Sequence, residues 1–292
     1  MSKFTRSLLI DDIKYFDKKL KCSKSENDNA NNIREQILYE ICKKNITPEW
    51  LEISEWKNLN DNFLSIIKKI SHCEYTRIVI EHKGGRKFNY DFAIYYYNEE
   101  IMISEKHIEF KFNCKKIQKY PQFLAVSCKK FVKDIGYAEY FYENYLKNVA
   151  DLIKRSLPLK DDYLKYVYQI NYDKLEIFQE LYKKKKDIKV AKKKIVDNSI
   201  EKYLSNVVEI DIDTLNSTFA SKQSNKIYIM YYDGEFYEDA INIDELTITK
   251  IEKITKNTLI LQTNSTSKIN MLLRWKNHAG ILFPAWQISI TR

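Results

Sequence analysis

The stretch RKFNYDFAIYYYNEEIMISEKHIEFKFN, Arg86 to Asn113, decides the reading of this chain. Tyr, Phe and Ile dominate it, and the polar Asn98-Glu99-Glu100 interrupts it near the middle, so it reads as two strands of a hairpin. Successive side chains of a strand point to opposite faces, which puts Glu109 and Lys111 on one face. Pairing Tyr97 with Ile101 across a three-residue turn sets Asp91 opposite His107 and diagonal to Glu109. Two carboxylates and a lysine then meet at one place on a sheet. A one-residue slip at the turn would separate them.

Working outward, TRIVIEH (Thr76 to His82) reads as the strand before this hairpin, joined to it by the turn Lys83-Gly84-Gly85. Residues 1–75 read as mainly helical. Leu8, Leu9, Ile13, Phe16 and Leu20 recur at helical spacing, CSKSENDNANN breaks the pattern, and Ile33, Ile37, Leu38 and Ile41 resume it. Asn60 or Asp61 can cap a third helix carrying Phe63, Leu64, Ile67 and Ile70. After Asn113 come a basic stretch with Lys115 and Lys116, then a short apolar run from Phe123 to Val126. An amphipathic helix follows over Tyr137 to Ile153, with Tyr137, Tyr140, Phe141, Tyr145 and Val149 on its stripe. Residues 160–204 read as basic helices, including Lys183 to Lys186 and Lys192 to Lys194.

From residue 205 the pattern changes to strands: NVVEIDI, NKIYIMYYDGEFYEDAI, ELTITKI, TLILQT, INMLLRW and GILFPAWQISI. Asp233-Gly234 and His278-Ala279-Gly280 read as turns. The expected fold class is therefore α/β (α+β): a central mixed sheet flanked by helices, with extra C-terminal β-strands. The expected parts are 1–75, an N-terminal helical segment; 76–204, a core with basic helices; and 205–292, a β-rich part, all three compatible with one continuous domain.

Composition narrows the function. The formal charge of +9 favours a polyanionic partner, although abundant Lys with Asn, Ile and Tyr also fits an AT-rich coding bias. The five cysteines form no CxxC pair, so neither a zinc site nor a disulfide framework is expected, and the compartment reads as reducing and cytoplasmic. The start, MSKFTRSLLIDDIKYF, meets acid by residue 11 and does not read as a secretory signal. No apolar run is long enough for a transmembrane helix, so no membrane partner is expected. A GxxxxGK[ST] phosphate loop is also missing.

Two carboxylates on adjacent strands suit a hard divalent cation, normally magnesium, with manganese an expected substitute. Such a cation polarises a phosphate and activates water. A lysine two positions past the glutamate can orient that water and stabilise developing negative charge. Asp91, Glu109 and Lys111 resemble the PD-(D/E)xK signature of the restriction-endonuclease-like nuclease superfamily. The resemblance extends over about residues 58 to 155, with Asn89-Tyr90 standing where the family's Pro precedes the Asp.

The resemblance implies catalysis by Asp91, Glu109 and Lys111, with the metal on Asp91 and Glu109. It also implies double-stranded DNA as substrate and, for a type II restriction enzyme, a homodimer. A further acid on a preceding helix is common in the superfamily; Asp61 is the nearest, with Glu35 and Glu40 one helix earlier. Gln122 and His107 are auxiliary candidates for holding a water or phosphate. At the C-terminus Arg274, Lys276 and Asn277 are of the types that read guanine and adenine edges. Lys115, Lys116 and the lysine clusters are expected on phosphates. Trp286 reads as core. A structure-specific repair, recombination or viral nuclease stays open, as does a nucleic-acid-binding protein without catalysis.

Overall fold

The computed structural model describes residues 4, 6–17, 24–84, 88–117, 124–127, 132, 135–168, 175–183, 188–206, 209–223, 226–278 and 281–291. At 24–25, 124–127, 182–183, 276–278 and 281–284 it describes the main chain alone. A 3-10 helix, Ile10–Phe16, opens the element order. There follow α1 (Lys24–Cys42), α2 (Pro48–Leu51), α3 (Ser54–Ser71), β1 (Arg77–His82), β2 (Phe92–Asn98), β3 (Ile101–Phe112) and β4 (Leu124–Ser127). Next come α4 (Tyr137–Phe141), a π-helical turn (Tyr142–Leu146), α5 (Lys147–Ile153), α6 (Lys160–Tyr168), α7 (Glu176–Lys183), α8 (Lys189–Ser205) and α9 (Ile212–Gln223). The chain ends with β5 (Lys226–Tyr232), β6 (Glu235–Ala240), a 3-10 turn (Ile243–Leu246), β7 (Ile248–Ile254), β8 (Thr258–Thr263), β9 (Lys268–His278) and β10 (Ile281–Thr291).

These elements form two compact units, residues 1–120 with 222–241, and residues 121–221 with 242–292. The divisions expected near 75 and 204 do not coincide with these boundaries, because β5 and β6 return to the first unit's sheet. That sheet has the order β1-β2-β3-β5-β6 and is mixed: β3 and β5 run parallel, the other neighbours antiparallel. The expected mixed α/β fold is observed.

One face of this sheet is covered by helices. Phe92, Ile94 and Tyr96 of β2, Ile108 and Phe110 of β3, and Ile229 and Tyr231 of β5 share a core with α1 and α3. From α3 it takes Trp56, Leu59, Phe63, Ile66, Ile67 and Ile70, a stripe at 3.6-residue spacing. Arg34 of α1 is buried there, donating to the Tyr15 carbonyl at 2.6 Å and lying 3.6 Å over the Phe112 ring. It ties the N-terminal segment to β3.

The second unit holds the sheet β4-β10-β9-β8-β7, antiparallel throughout. Trp286 is buried within it, as expected. Trp275 is pinned by its indole N–H to the Tyr137 hydroxyl at 2.8 Å and packs against Phe141.

Four local expectations change. Helix α3 begins at Ser54, so Asn60 and Asp61 lie inside it and do not cap it. The polar stretch around Asn27 to Asn32 lies inside α1, because the stripe Ala30, Ile33, Ile37, Leu38 and Ile41 supplies enough buried surface to carry its first turns. Of the stretch Leu8 to Leu20, the described residues up to Asp17 form a short 3-10 helix over Ile10–Phe16. Of the segment NVVEIDI, the described residues 206 and 209–212 include no strand, and Ile212 opens α9. Ile210 makes a single bridge to Val132, and Asp211 accepts from the Thr214 N–H at 2.9 Å, initiating α9. Leu215 and Phe219 bury one side of that helix.

Candidate active site at the end of the first sheet

The register of the β2–β3 hairpin differs from the expected one in an informative way. Asn98 pairs with Ile101 across the two-residue turn Glu99-Glu100, and Glu99 takes the left-handed conformation at φ 53°. A two-residue turn in an unbroken ladder would bring Asp91 level with Ile108, on the wrong face. A bulge prevents this: Tyr97 pairs with Met102 and Tyr96 with Ser104, leaving Ile103 as the extra residue. Below the bulge Ala93 faces His107 and Phe92 faces Ile108, so the next step sets Asp91 beside Glu109. The expected alignment of Asp91 with His107 is corrected by two residues. That even shift preserves the face.

Asp91 is anchored at the end of β2. Its N–H donates to the Ile108 carbonyl at 2.8 Å, and its Oδ2 accepts the Phe110 N–H at 2.8 Å. Its own carbonyl accepts the Lys83 N–H at 2.8 Å, tying it to the end of β1. Glu109 follows on the face opposite the buried Ile108 and Phe110, and both its oxygens carry ammonium groups. Lys111 bonds Oε1, and Lys226 of β5 reaches Oε2 at 3.1 Å. The parallel pairing aligns His107 with Lys226, Glu109 with Tyr228 and Lys111 with Met230, so these side chains share one face.

Burial, Glu109 and Glu35, in that order, push the Asp91 carboxyl well above the usual carboxylate range. The Lys111 ammonium and the Phe110 N–H oppose them. Burial lowers the Lys226 ammonium, with Glu109 pulling the other way. Glu35 is the acid that helix α1 directs toward this end of the sheet, and its Oε2 lies 3.0 Å from Nε2 of the buried His82. Asp61, the sequence's choice, is instead exposed on α3, beside Asn60 and a groove with Lys43, Lys44, Lys68 and Arg77. It is not among the charges acting on Asp91.

The donor set suits a hard cation. Asp91 and Glu109 offer carboxylate oxygens, and an added positive charge would relieve the repulsion that Glu109 and Glu35 impose on Asp91. Magnesium commonly takes one or two carboxylates and completes its shell with water and phosphate. Among the described residues no group of three or more His, Cys, Asp and Glu side chains closes around a single point.

The other sequence candidates fall as follows. His107 faces Ala93, stacks on Tyr90 with ring centroids 4.1 Å apart, and its Nε2 sits 2.8 Å from Glu105 Oε1. Lys115 and Lys116 are exposed just past β3, with the Lys115 ammonium over the Tyr232 and Tyr237 rings. In the second unit Arg274 is exposed and donates to Gln287 Oε1 at 2.6 Å. Lys276 and Asn277 pair through their main chains with Phe283 and Leu282, and their side chains lie outside the described residues. Gln122 also lies outside them.

Sequence reading ranked Glu35 behind Asp61 as the further acid and missed Lys226 as part of the site. Lys226 carried a signal: in KIYIMYY it shares strand parity with Tyr228 and Met230. Its link to Glu109 required knowing that β5 lies beside β3. No family model matches this chain, and neither a curated protein nor a solved structure is significantly similar to it.

Proposed function

We propose that this protein is a magnesium-dependent endonuclease acting on double-stranded DNA, with Asp91, Glu109 and Lys111 at its catalytic centre. The observation that carries the reading is the pairing of two carboxylates from adjacent strands with a lysine on the same face. A bulge that restores their parity supports it. Asp91 and Glu109 would hold the cation, whose chemistry is Lewis-acid polarisation of the phosphate and activation of water. Lys111 then stands where an ammonium can neutralise charge growing on the phosphate oxygens. Glu35, fixed by His82, adds negative potential behind Asp91. Arg274, Lys115 and Lys116 supply exposed positive charge for DNA contact.

Sequence-specific cutting as a type II restriction enzyme, and action as a homodimer in the cytoplasm, belong to the same proposal. The test is incubation with plasmid and magnesium. Discrete fragments support sequence-specific cutting, whereas preference for branched substrates moves the protein to the repair class. Asp91→Asn and Lys111→Ala should each reduce cutting by at least about a hundredfold. Wild-type rates from either variant overturn the assignment. DNA binding without cleavage under any divalent cation overturns the enzyme.

A further inference from the structure

Glu109 carries an ammonium group on each carboxylate oxygen, and the two lysines differ in their surroundings. The Lys226 side chain is 2% exposed, with its Nζ 5.0 Å over the Tyr228 ring. The Lys111 side chain is 13% exposed. A divalent cation cannot share a carboxylate oxygen with an ammonium group without strong short-range repulsion. Cation binding at Glu109 therefore favours release of one lysine. Releasing Lys226 would strand a desolvated charge, which is the costly outcome for a buried pair. Lys111 has solvent access and can be rehydrated or can meet an anion.

We propose that Lys111 is an exchanging lysine, leaving Glu109 Oε1 as the site takes its cation and turning to the substrate phosphate. Lys226 stays on Oε2 as a positioning residue that holds Glu109 in place. This rests on the nuclease reading and adds a form of control: the lysine that stabilises charge on the phosphate is released only after the metal is loaded. Without metal, Glu109 retains Lys111 and the centre is held inactive.

The test uses the full chain in two measurements. The first is acetylation with N-acetylsuccinimide, read residue by residue by mass spectrometry, with and without millimolar Mn2+. Lys111 labelling should rise about fivefold with the cation while Lys226 stays protected, and Asp91→Asn should show no rise. Unchanged Lys111 labelling in protein that binds Mn2+ overturns the exchange, as does labelling of Lys226 in its place. The second is calorimetry: Lys111→Met, which lacks the competing ammonium, should bind Mn2+ about fivefold more tightly than wild type. Equal or weaker binding overturns the proposal. Wild type that shows the exchange yet cuts no DNA overturns the nuclease reading alone. Wild type that cuts DNA with Lys111 unchanged overturns the exchange alone.

Discussion

Deleting Ile103 tests the bulge argument directly. Tyr97 already pairs with Met102 and Tyr96 with Ser104, so removing the extra residue joins Met102 to Ser104 and leaves an unbroken ladder. Everything below Tyr96, including Asp91 and Glu109, should keep its partners. The competing outcome is a one-residue slip of β3 against β2. That would turn Phe92, Ile94 and Tyr96, or Ile108 and Phe110, away from a core in which each is at most 8% exposed. At roughly 1.5–3 kcal/mol for each large apolar side chain, the loss is roughly 3–9 kcal/mol. That is comparable with the whole stability of an ordinary domain, roughly 5–15 kcal/mol. The slip is forbidden, whereas the deletion itself removes a side chain that is 41% exposed.

Urea unfolding of the deletion variant should therefore match wild type within about 1 kcal/mol. Its thermal stabilisation by magnesium and its plasmid cleavage should be unchanged. A loss above about 3 kcal/mol would show that the bulge is structurally required. A folded variant without cation response would show that the bulge sets the geometry of the site and not merely its parity.

Three further outcomes follow from the same geometry. In metal-free protein the raised Asp91 carboxyl contributes stability that is fully present below its unfolded value near ~3.9 and is lost as pH rises through its folded value. Asp91→Asn should accordingly melt above wild type in EDTA at pH 7, by a margin that shrinks toward acid pH. A margin that grows in acid would contradict the shift. Lys226→Met and Lys111→Met should each change stability by less than about 1.5 kcal/mol, since Glu109 keeps one ammonium partner. The double variant leaves the half-buried Glu109 without both and should cost roughly 2 kcal/mol more than the sum, measured as a double-mutant cycle. Arg274→Ala removes one exposed hydrogen bond to Gln287 and should leave stability within about 1 kcal/mol. It should weaken binding to the preferred DNA more than to random DNA; an equal loss on both assigns Arg274 to phosphate contact.

What could be read from the sequence follows the range of the interactions involved. Alternation in Ile101 to Phe112 depends only on neighbours along the chain, and it separated Glu109 and Lys111 from Ile108 and Phe110 correctly. The stripe of α3 is likewise local. The Asn98–Ile101 turn was misread by one residue because Glu99 adopts a left-handed conformation that its side chain does not advertise. Helix α9 was hidden because Ile210, Asp211 and Ile212 alternate like a strand, while the signals for a helix are the Asp211 cap and the spacing of Leu215 and Phe219.

Lys226 shows the limit most clearly, and also why the site falls where it does. Its partner Glu109 lies far away in sequence, and a parallel pair cannot be closed by a tight turn, so no local pattern could announce the contact. β5 lies on the opposite edge of β3 from β2 and pairs in parallel with the half that runs from His107 to Phe112, the half in which the β2 ladder ends at Phe92. Past Phe92 the edge of β3 that faces β2 has no further partner in that strand, and there Asp91 uses its carboxylate, in place of a ladder carbonyl, to satisfy the Phe110 N–H. A carboxylate held by a main-chain bond at a strand end, next to a second one braced by two lysines, is therefore a consequence of how the sheet is assembled. Any change that extends β2 past Asp91 should remove the Phe110 bond and disperse the pair, leaving the fold intact and the chemistry absent.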